Sequence, residues 1–323
     1  MSKRRISDQQ SARIEKRQLH LRQQNDAGEL ASEDGLVIKR FSRHAQIENR
    51  HGALIHCSIR PTIDSLVAGD RVVWQEQGAG KGVIVSRYPR QSVLGRPDKK
   101  GLLKPIAANI TQLVIVVAPK PEISWPLLDS YLVMAEYLAL KVCIILNKTD
   151  LDDTQLQQAI HQQYAPLGYS VLFTCHNNPE GYEVLKNALN NQTSVFVGQS
   201  GVGKSSLIAK ILPEQSSNIQ TGEISSSSNL GCHTTSNSCL YHIPTGGALI
   251  DSPGVRELGL WHMPAADIAA CYREFKPFLS KCKFRNCNHR DAPGCALVNA
   301  LKNNEVSHHR YENYVKIITQ FAR

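Results

Sequence analysis

Asn147-Lys148-Thr149-Asp150 precedes Gly198-Gln199-Ser200-Gly201-Val202-Gly203-Lys204-Ser205 in this chain, and both motifs imply nucleotide chemistry. The second fits GxxxxGK[ST]. Its glycines at 198, 201 and 203 let the backbone curl, so that successive N–H groups and the following helix N-terminus point at phosphate oxygens. Lys204 would reach the terminal phosphates, and the Ser205 hydroxyl would bind magnesium. The first motif, NKxD, reads a base. The Asp150 carboxylate can accept from the ring N1–H and the exocyclic amine of guanine, a pattern that adenine lacks. A site that leaves a buried carboxylate unpaired with the wrong base can discriminate by about 10⁴-fold or more, so GTP is expected over ATP.

Downstream, Asp251-Ser252-Pro253-Gly254 forms a DxPG. Asp251 would support the magnesium shell, and the Gly254 N–H would meet the γ-phosphate. Between the phosphate motifs lies Gly231-Cys232-His233-Thr234-Thr235, after four serines at 225–228. This stretch reads either as a serine-rich linker or as a switch in which Thr234 or Thr235 completes the magnesium coordination. Val255 stands where many signalling GTPases carry a water-orienting glutamine. His233 is the nearest residue able to accept a proton from water in its place.

A second chemistry lies near the C-terminus, where Cys282, Cys287, His289 and Cys295 form CxxxxCxHxxxxxC. Three thiolates and a neutral imidazole suit tetrahedral Zn2+ with every position filled, which makes the ion structural rather than hydrolytic. The six other cysteines, at 57, 143, 175, 232, 239 and 271, show no paired spacing. Together with a nucleotide site and no signal peptide, they point to the reducing cytoplasm. No apolar run approaches the roughly 18 residues that span a bilayer, so no membrane partner is expected.

The elements that must position these groups follow from the pattern. Residues 1–35 form a basic arm without hydrophobic period. Residues 36–108 contain short β-rich runs at 36–41, 53–59, 71–74, 83–86 and 92–94, which suggest a five-stranded barrel of OB type. In 109–260 strands and helices alternate. Buried strands are expected at 113–118, 141–146, 194–197 and 248–250, and helices at 126–140, from 185 onward and at 204–212. Ligands bind beyond the carboxyl ends of such parallel strands, where Asn147 and Asp150 fall. Residues 261–323 are expected to be helical around the zinc loop, ending in a helix at 312–321. The fold class is thus multidomain α/β: an OB barrel, a P-loop GTPase domain with permuted motifs and a helical zinc-binding domain. A net charge of +9 on 323 residues calls for a polyanion, and the basic arm, barrel and zinc loop agree on RNA.

In this order, the barrel, NKTD, GQSGVGKS, GCHTT, DSPG and the cysteine segment resemble the ribosome small-subunit-dependent GTPase A family, known as RsgA or YjeQ, over nearly the whole chain. The resemblance implies a circularly permuted GTPase that assists late maturation of the small ribosomal subunit. Such a factor binds the subunit and its rRNA, hydrolyses GTP faster on it, and then leaves. It further implies that Asn147, Lys148 and Asp150 read guanine and that 198–206, Ser206 included, holds the phosphates. His233 matches the histidine of the family's GRHTT switch, and the three cysteines with His289 match its zinc ligands. Two departures stand out: Cys232 replaces the arginine of that switch, and Thr174-Cys175-His176 replaces the usual Ser-Ala pair behind the guanine ring. The alternative function is an RNA-binding scaffold or regulator that senses GDP or GTP and hydrolyses incidentally. No heptad or apolar patch suggests an oligomer, so a monomer is expected.

Overall fold

Apolar side chains from each of the first five strands turn to one side, and together they close a barrel. The structure, a computed structural model, describes residues 32–63, 65–78, 80–97, 103–151, 154–215, 238–251, 263–290 and 292–321. Strands β1 (Glu33–Phe41), β2 (His44–Asn49) and β3 (Leu54–Ile59) form an antiparallel meander. β3 then pairs in parallel with β5 (Lys81–Arg87), β5 with β4 (Arg71–Gly78), and β4 returns to β1. Val37, Ala45, Ile47, Cys57, Val72, Trp74 and Ile84 fill the interior of this OB-like ring. Its β3–β4 loop is fixed by Arg90, which donates to both oxygens of buried Asp70 at 2.7 and 2.8 Å and to the Ser65 carbonyl at 2.6 Å.

The barrel differs from expectation in one strand. Its missing member is β2, whose only buried inward residues are Ala45 and Ile47 among His, Gln, Glu and Asn, too weak an alternation to stand out. The 92–94 run instead belongs to β6 (Val93–Pro97), which pairs with β7 (Leu103–Ala108) in a separate two-stranded ribbon.

Beyond the ribbon come β8 (Gln112–Val117), α1 (Trp125–Tyr137), β9 (Lys141–Asn147), α2 (Gln155–Tyr164), β10 (Ser170–Thr174) and α3 (Pro179–Leu189). They are followed by β11 (Thr193–Val197), α4 (Lys204–Ile211), β12 (Cys239–His242) and β13 (Ala248–Asp251). Spatially the strands run β10-β9-β8-β11-β13-β12, all parallel except the last, antiparallel strand β12. The continuous apolar runs of β8 and β9 are explained by cover on both faces. Val114, Val116, Cys143 and Ile145 face α3 and α4, whereas Leu113, Ile115, Ile144 and Leu146 face α1 and α2. Helix α3 starts six residues before the expected 185, because Asn178 caps it by accepting from the Gly181 N–H at 3.0 Å and Pro179 fits its first turn.

The C-terminal helices are α5 (Ala265–Ala270), α6 (Lys276–Leu279), α7 (Ala296–Lys302) and α8 (His308–Phe321). Ile268, Tyr272, Phe275, Leu297, Tyr314 and Ile317 join Leu128, Tyr131 and Leu132 of α1 in one hydrophobic cluster. At the other end, β12 meets β1 of the barrel through Lys39 and Cys239. A bulge between Val37 and Lys39 turns Ile38 out of the barrel and into the cluster that holds Leu94, Ile106, Leu240 and Ile250.

Candidate nucleotide site and metal centre

Asn147 ends β9, Thr174 ends β10, Gly198 follows β11 and Asp251 ends β13, so the sheet delivers the sequence motifs to one edge. The guanine motif and the phosphate loop are stitched together there. Buried Asn147 donates from Nδ2 to the Val202 carbonyl at 2.9 Å and accepts on Oδ1 from the Thr174 hydroxyl at 3.0 Å. Lys148 reaches over the loop and donates to the Gly201 carbonyl at 2.6 Å and the Lys120 carbonyl at 3.1 Å. Asp150 lies exposed on the single turn Thr149–Leu151, free to meet a base edge.

Two positions in this loop tolerate no side chain. At Gly198, with φ +138°, a Cβ would lie 2.1 Å from the Val116 carbonyl oxygen, and at Gly203, with φ +97°, it would lie 2.3 Å from Asn147 Nδ2. Lys204 begins α4 with its ammonium folded into the loop, donating to the carbonyls of Gly198 at 2.9 Å and Gln199 at 2.5 Å. Ser200 and Gly201 are exposed at the tip, Val202 is buried beneath, and Ser205 and Ser206 sit in the first turn of α4. Ser205 and Asp251 offer the hard oxygen donors that magnesium takes, on elements that follow or end the neighbouring strands β11 and β13. His233, Thr234, Thr235 and Gly254, with Cys232 and Val255, lie outside the described residues.

Two contacts had no motif to announce them, although both residues lie in stretches that the sequence singled out. Thr174 stands opposite Asn147 in the β9–β10 register, a pairing that only the fold reveals. The Gln199 side chain accepts from the Ser124 N–H at 3.0 Å, joining the phosphate loop to the start of α1.

The metal-ligand residues also converge. One ligand atom from each of Cys282, Cys287, His289 and Cys295 lies within 4.8 Å of all the others. Cys282 Sγ is 3.5 Å from His289 Nδ1 and 4.0 Å from Cys295 Sγ, and Cys295 Sγ is 3.8 Å from His289 Nδ1. Zinc–sulfur bonds of about 2.3 Å and zinc–nitrogen bonds of about 2.0 Å place tetrahedral ligands roughly 3.5–3.8 Å apart, so the cluster fits that ion. Burial holds the His289 imidazole below its ordinary pKa and keeps it neutral, as ligation requires. Burial opposes ionisation of Cys282, but hydrogen bonds from N–H groups at the start of α7 and from the Cys287 and Cys295 thiols together outweigh it and lower its pKa. The His289 carbonyl accepts from the Tyr311 hydroxyl at 3.0 Å, which anchors the loop to α8.

An OB-like barrel, a parallel nucleotide sheet whose guanine motif precedes its phosphate loop, and a cysteine-histidine cluster together define a circularly permuted GTPase. The family model for the RsgA GTPase matches residues 87–261. This chain belongs to that family. It is 47% identical over 98% of its length, and 91% of the relative's, to small ribosomal subunit biogenesis GTPase RsgA 1 of Vibrio parahaemolyticus. It is 45% identical over its whole length, and 97% of the relative's, to the RsgA of Haemophilus influenzae strain PittGG. Among solved structures, YjeQ of Thermotoga maritima superimposes with a TM-score of 0.74 at 30% identity, covering 90% of this chain and 99% of that one. YloQ, described as a circularly permuted GTPase, gives 0.72 at 27% identity, covering 90% and 95%.

Proposed function

We propose that this GTPase is a late assembly factor of the small ribosomal subunit, with hydrolysis accelerated by the subunit and coupled to release. The observation that carries the reading is the stitched site, Asn147 on Val202 and Lys148 on Gly201, in a chain with whole-length similarity to proteins named for small-subunit biogenesis. In this reading Asn147, Lys148 and Asp150 bind guanine, and 198–206 wrap the phosphates. Lys204 exchanges its two carbonyl partners for the β- and γ-phosphates, so the loop's own carbonyls hold the ammonium ready for the charge that develops in transfer.

Magnesium bound with GTP, held by Ser205, Asp251 and Thr234 or Thr235, supplies neutralisation of phosphate charge. Gly254 meets the γ-phosphate and His233 orients the attacking water. Zinc held by Cys282, Cys287, His289 and Cys295 supplies folding energy to the loop. We read the chain as a basic arm before β1, which begins at Glu33 and not after the expected 35, an RNA-binding barrel of β1–β5 followed by the β6–β7 ribbon, the GTPase unit (109–260) and a zinc module (261–323), working as a cytoplasmic monomer on rRNA.

The test is steady-state hydrolysis of GTP, with ATP as control, alone and with purified small or large subunits. Acceleration by the small subunit alone is expected. Lys204→Ala should still bind subunits but lose roughly 10²-fold or more in kcat and fail to release. Equal acceleration by both subunits, or release of Lys204→Ala at the wild-type rate, would overturn the reading.

A further inference from the structure

Arg310 takes no part in the nucleotide or metal chemistry above, yet its side chain is only 2% exposed. A guanidinium is costly to bury unless its charge is met, and here it is met from two sides. From α8 it donates through Nη1 to Asp129 Oδ1 on α1 and through Nε to Glu274 Oε1 at 2.6 Å. The Asp129 carboxylate, itself fully buried, also accepts from the Tyr164 hydroxyl and from Asn313 Nδ2, each at 2.9 Å. The guanidinium lies over the rings of Tyr272 and Tyr164 at 4.5 and 5.4 Å. One joint therefore locks α1 and α2 of the nucleotide unit to α8 and the α5–α6 turn.

Each side of this joint leads to a functional loop. On α1, Asp129 lies five residues from Ser124, about 7.5 Å along the helix axis, and the Ser124 N–H holds the Gln199 side chain. The Gln199 carbonyl in turn holds Lys204, and Lys120, four residues before Ser124, takes the Lys148 ammonium on its carbonyl. On α8, the residue after Arg310 is Tyr311, whose hydroxyl bonds the carbonyls of His289 at 3.0 Å and Arg290 at 3.2 Å.

We infer that Arg310 is a positioning residue for the phosphate loop, fixing α1 so that Ser124 holds Gln199 and linking that loop to the metal-binding loop through α8. This route does not pass through the switches. Because coupling between sites is reciprocal, whatever docks on the C-terminal helices changes nucleotide affinity by the factor with which nucleotide changes that docking. The inference rests on the nucleotide-site reading proposed above.

The test uses the full chain. GDP and a non-hydrolysable GTP analogue are titrated into wild type and Arg310→Lys at a temperature where circular dichroism shows both folded. Lysine keeps the charge beside Asp129 and Glu274 but loses the planar fork. Binding of both nucleotides should weaken by about tenfold, with KM raised more than kcat is lowered and guanine preference intact, because Asn147 takes its partners from Val202 and Thr174 and not from Gln199. A lowered Tm with unchanged affinity would make Arg310 merely structural and overturn the inference. In the wild type, GDP should also slow hydrogen exchange at 125–130 and 308–314. Protection confined to 198–206 would overturn it even if the variant failed to fold. Failure of the wild type to bind any guanine nucleotide would remove the site reading itself, and the inference with it.

Discussion

Asn147 shows what a motif residue needs from its surroundings. Its amide can serve the guanine site only in one orientation, and that orientation is set at both ends, by Val202 and by Thr174. The NKTD run was legible in the sequence, but the threonine that orients it was not, because the two meet only through strand pairing. Thr174→Val keeps the volume and removes the hydroxyl, leaving a buried acceptor unpaired at a cost of about 1–3 kcal/mol. GTP affinity measured with a fluorescent analogue should fall by about tenfold, and an unchanged affinity would show that Thr174 does not orient Asn147. Thiol chemistry offers a second check at this scale. Burial pushes the thiols of Cys57 and Cys143 up to about 12, so neither forms appreciable thiolate at pH 8, whereas Cys175 is half-buried beside Thr174. Iodoacetamide at pH 8 should therefore modify native Cys175 well before Cys57 or Cys143. Early modification of those two in peptide mapping would contradict their burial.

Elements were legible in proportion to how locally they are specified. β9 and β11 are short apolar runs between clear breaks, and both lie where expected, whereas β2 has only two inward apolar residues, Ala45 and Ile47, and a polar outer face. The β1 bulge was hidden for another reason: Ile38 looks like one more member of an apolar run, and only the register shift reveals that it serves a different core. The loop at 282–295 is the opposite case, since ligand spacing exposes it at once while its packing is sparse. Its described residues are largely exposed apart from buried His289 and Cys295 and half-buried Cys282, Cys287 and Ala292. Removal of metal with a strong chelator should accordingly loosen 281–296 in hydrogen exchange. β8 and β9, fully covered by helices on both faces, should stay protected. Loss of protection across the whole sheet would mean that the metal centre supports the entire fold. Cys287→Ser should reproduce the local effect without chelator.

At the scale of the molecule, the permuted order puts β12, β13 and the GCHTT and DSPG motifs after the phosphate loop and directly before the C-terminal helices. Those helices share a core with α1, a long-range packing that no local pattern announced. The barrel is attached at the other end by β1 and β12, so the nucleotide sheet has a separate unit on each side. Both flanking units carry exposed positive charge, with Arg43 at the β1–β2 turn and Lys283 and Arg285 in the metal-ligand loop. If the proposed contact with rRNA uses this excess, binding must release counterions, and its strength must depend on salt. With about six or more phosphates neutralised, affinity for the small subunit should fall by about 10³-fold between roughly 50 and 200 mM salt. A plot of log affinity against log salt measures that number. A steep slope that flattens when Lys283 and Arg285 are replaced by glutamine would place part of the contact on the metal-ligand loop. A slope near zero in the wild type would mean that phosphate contacts do not carry the binding, and that the +9 excess serves something other than RNA.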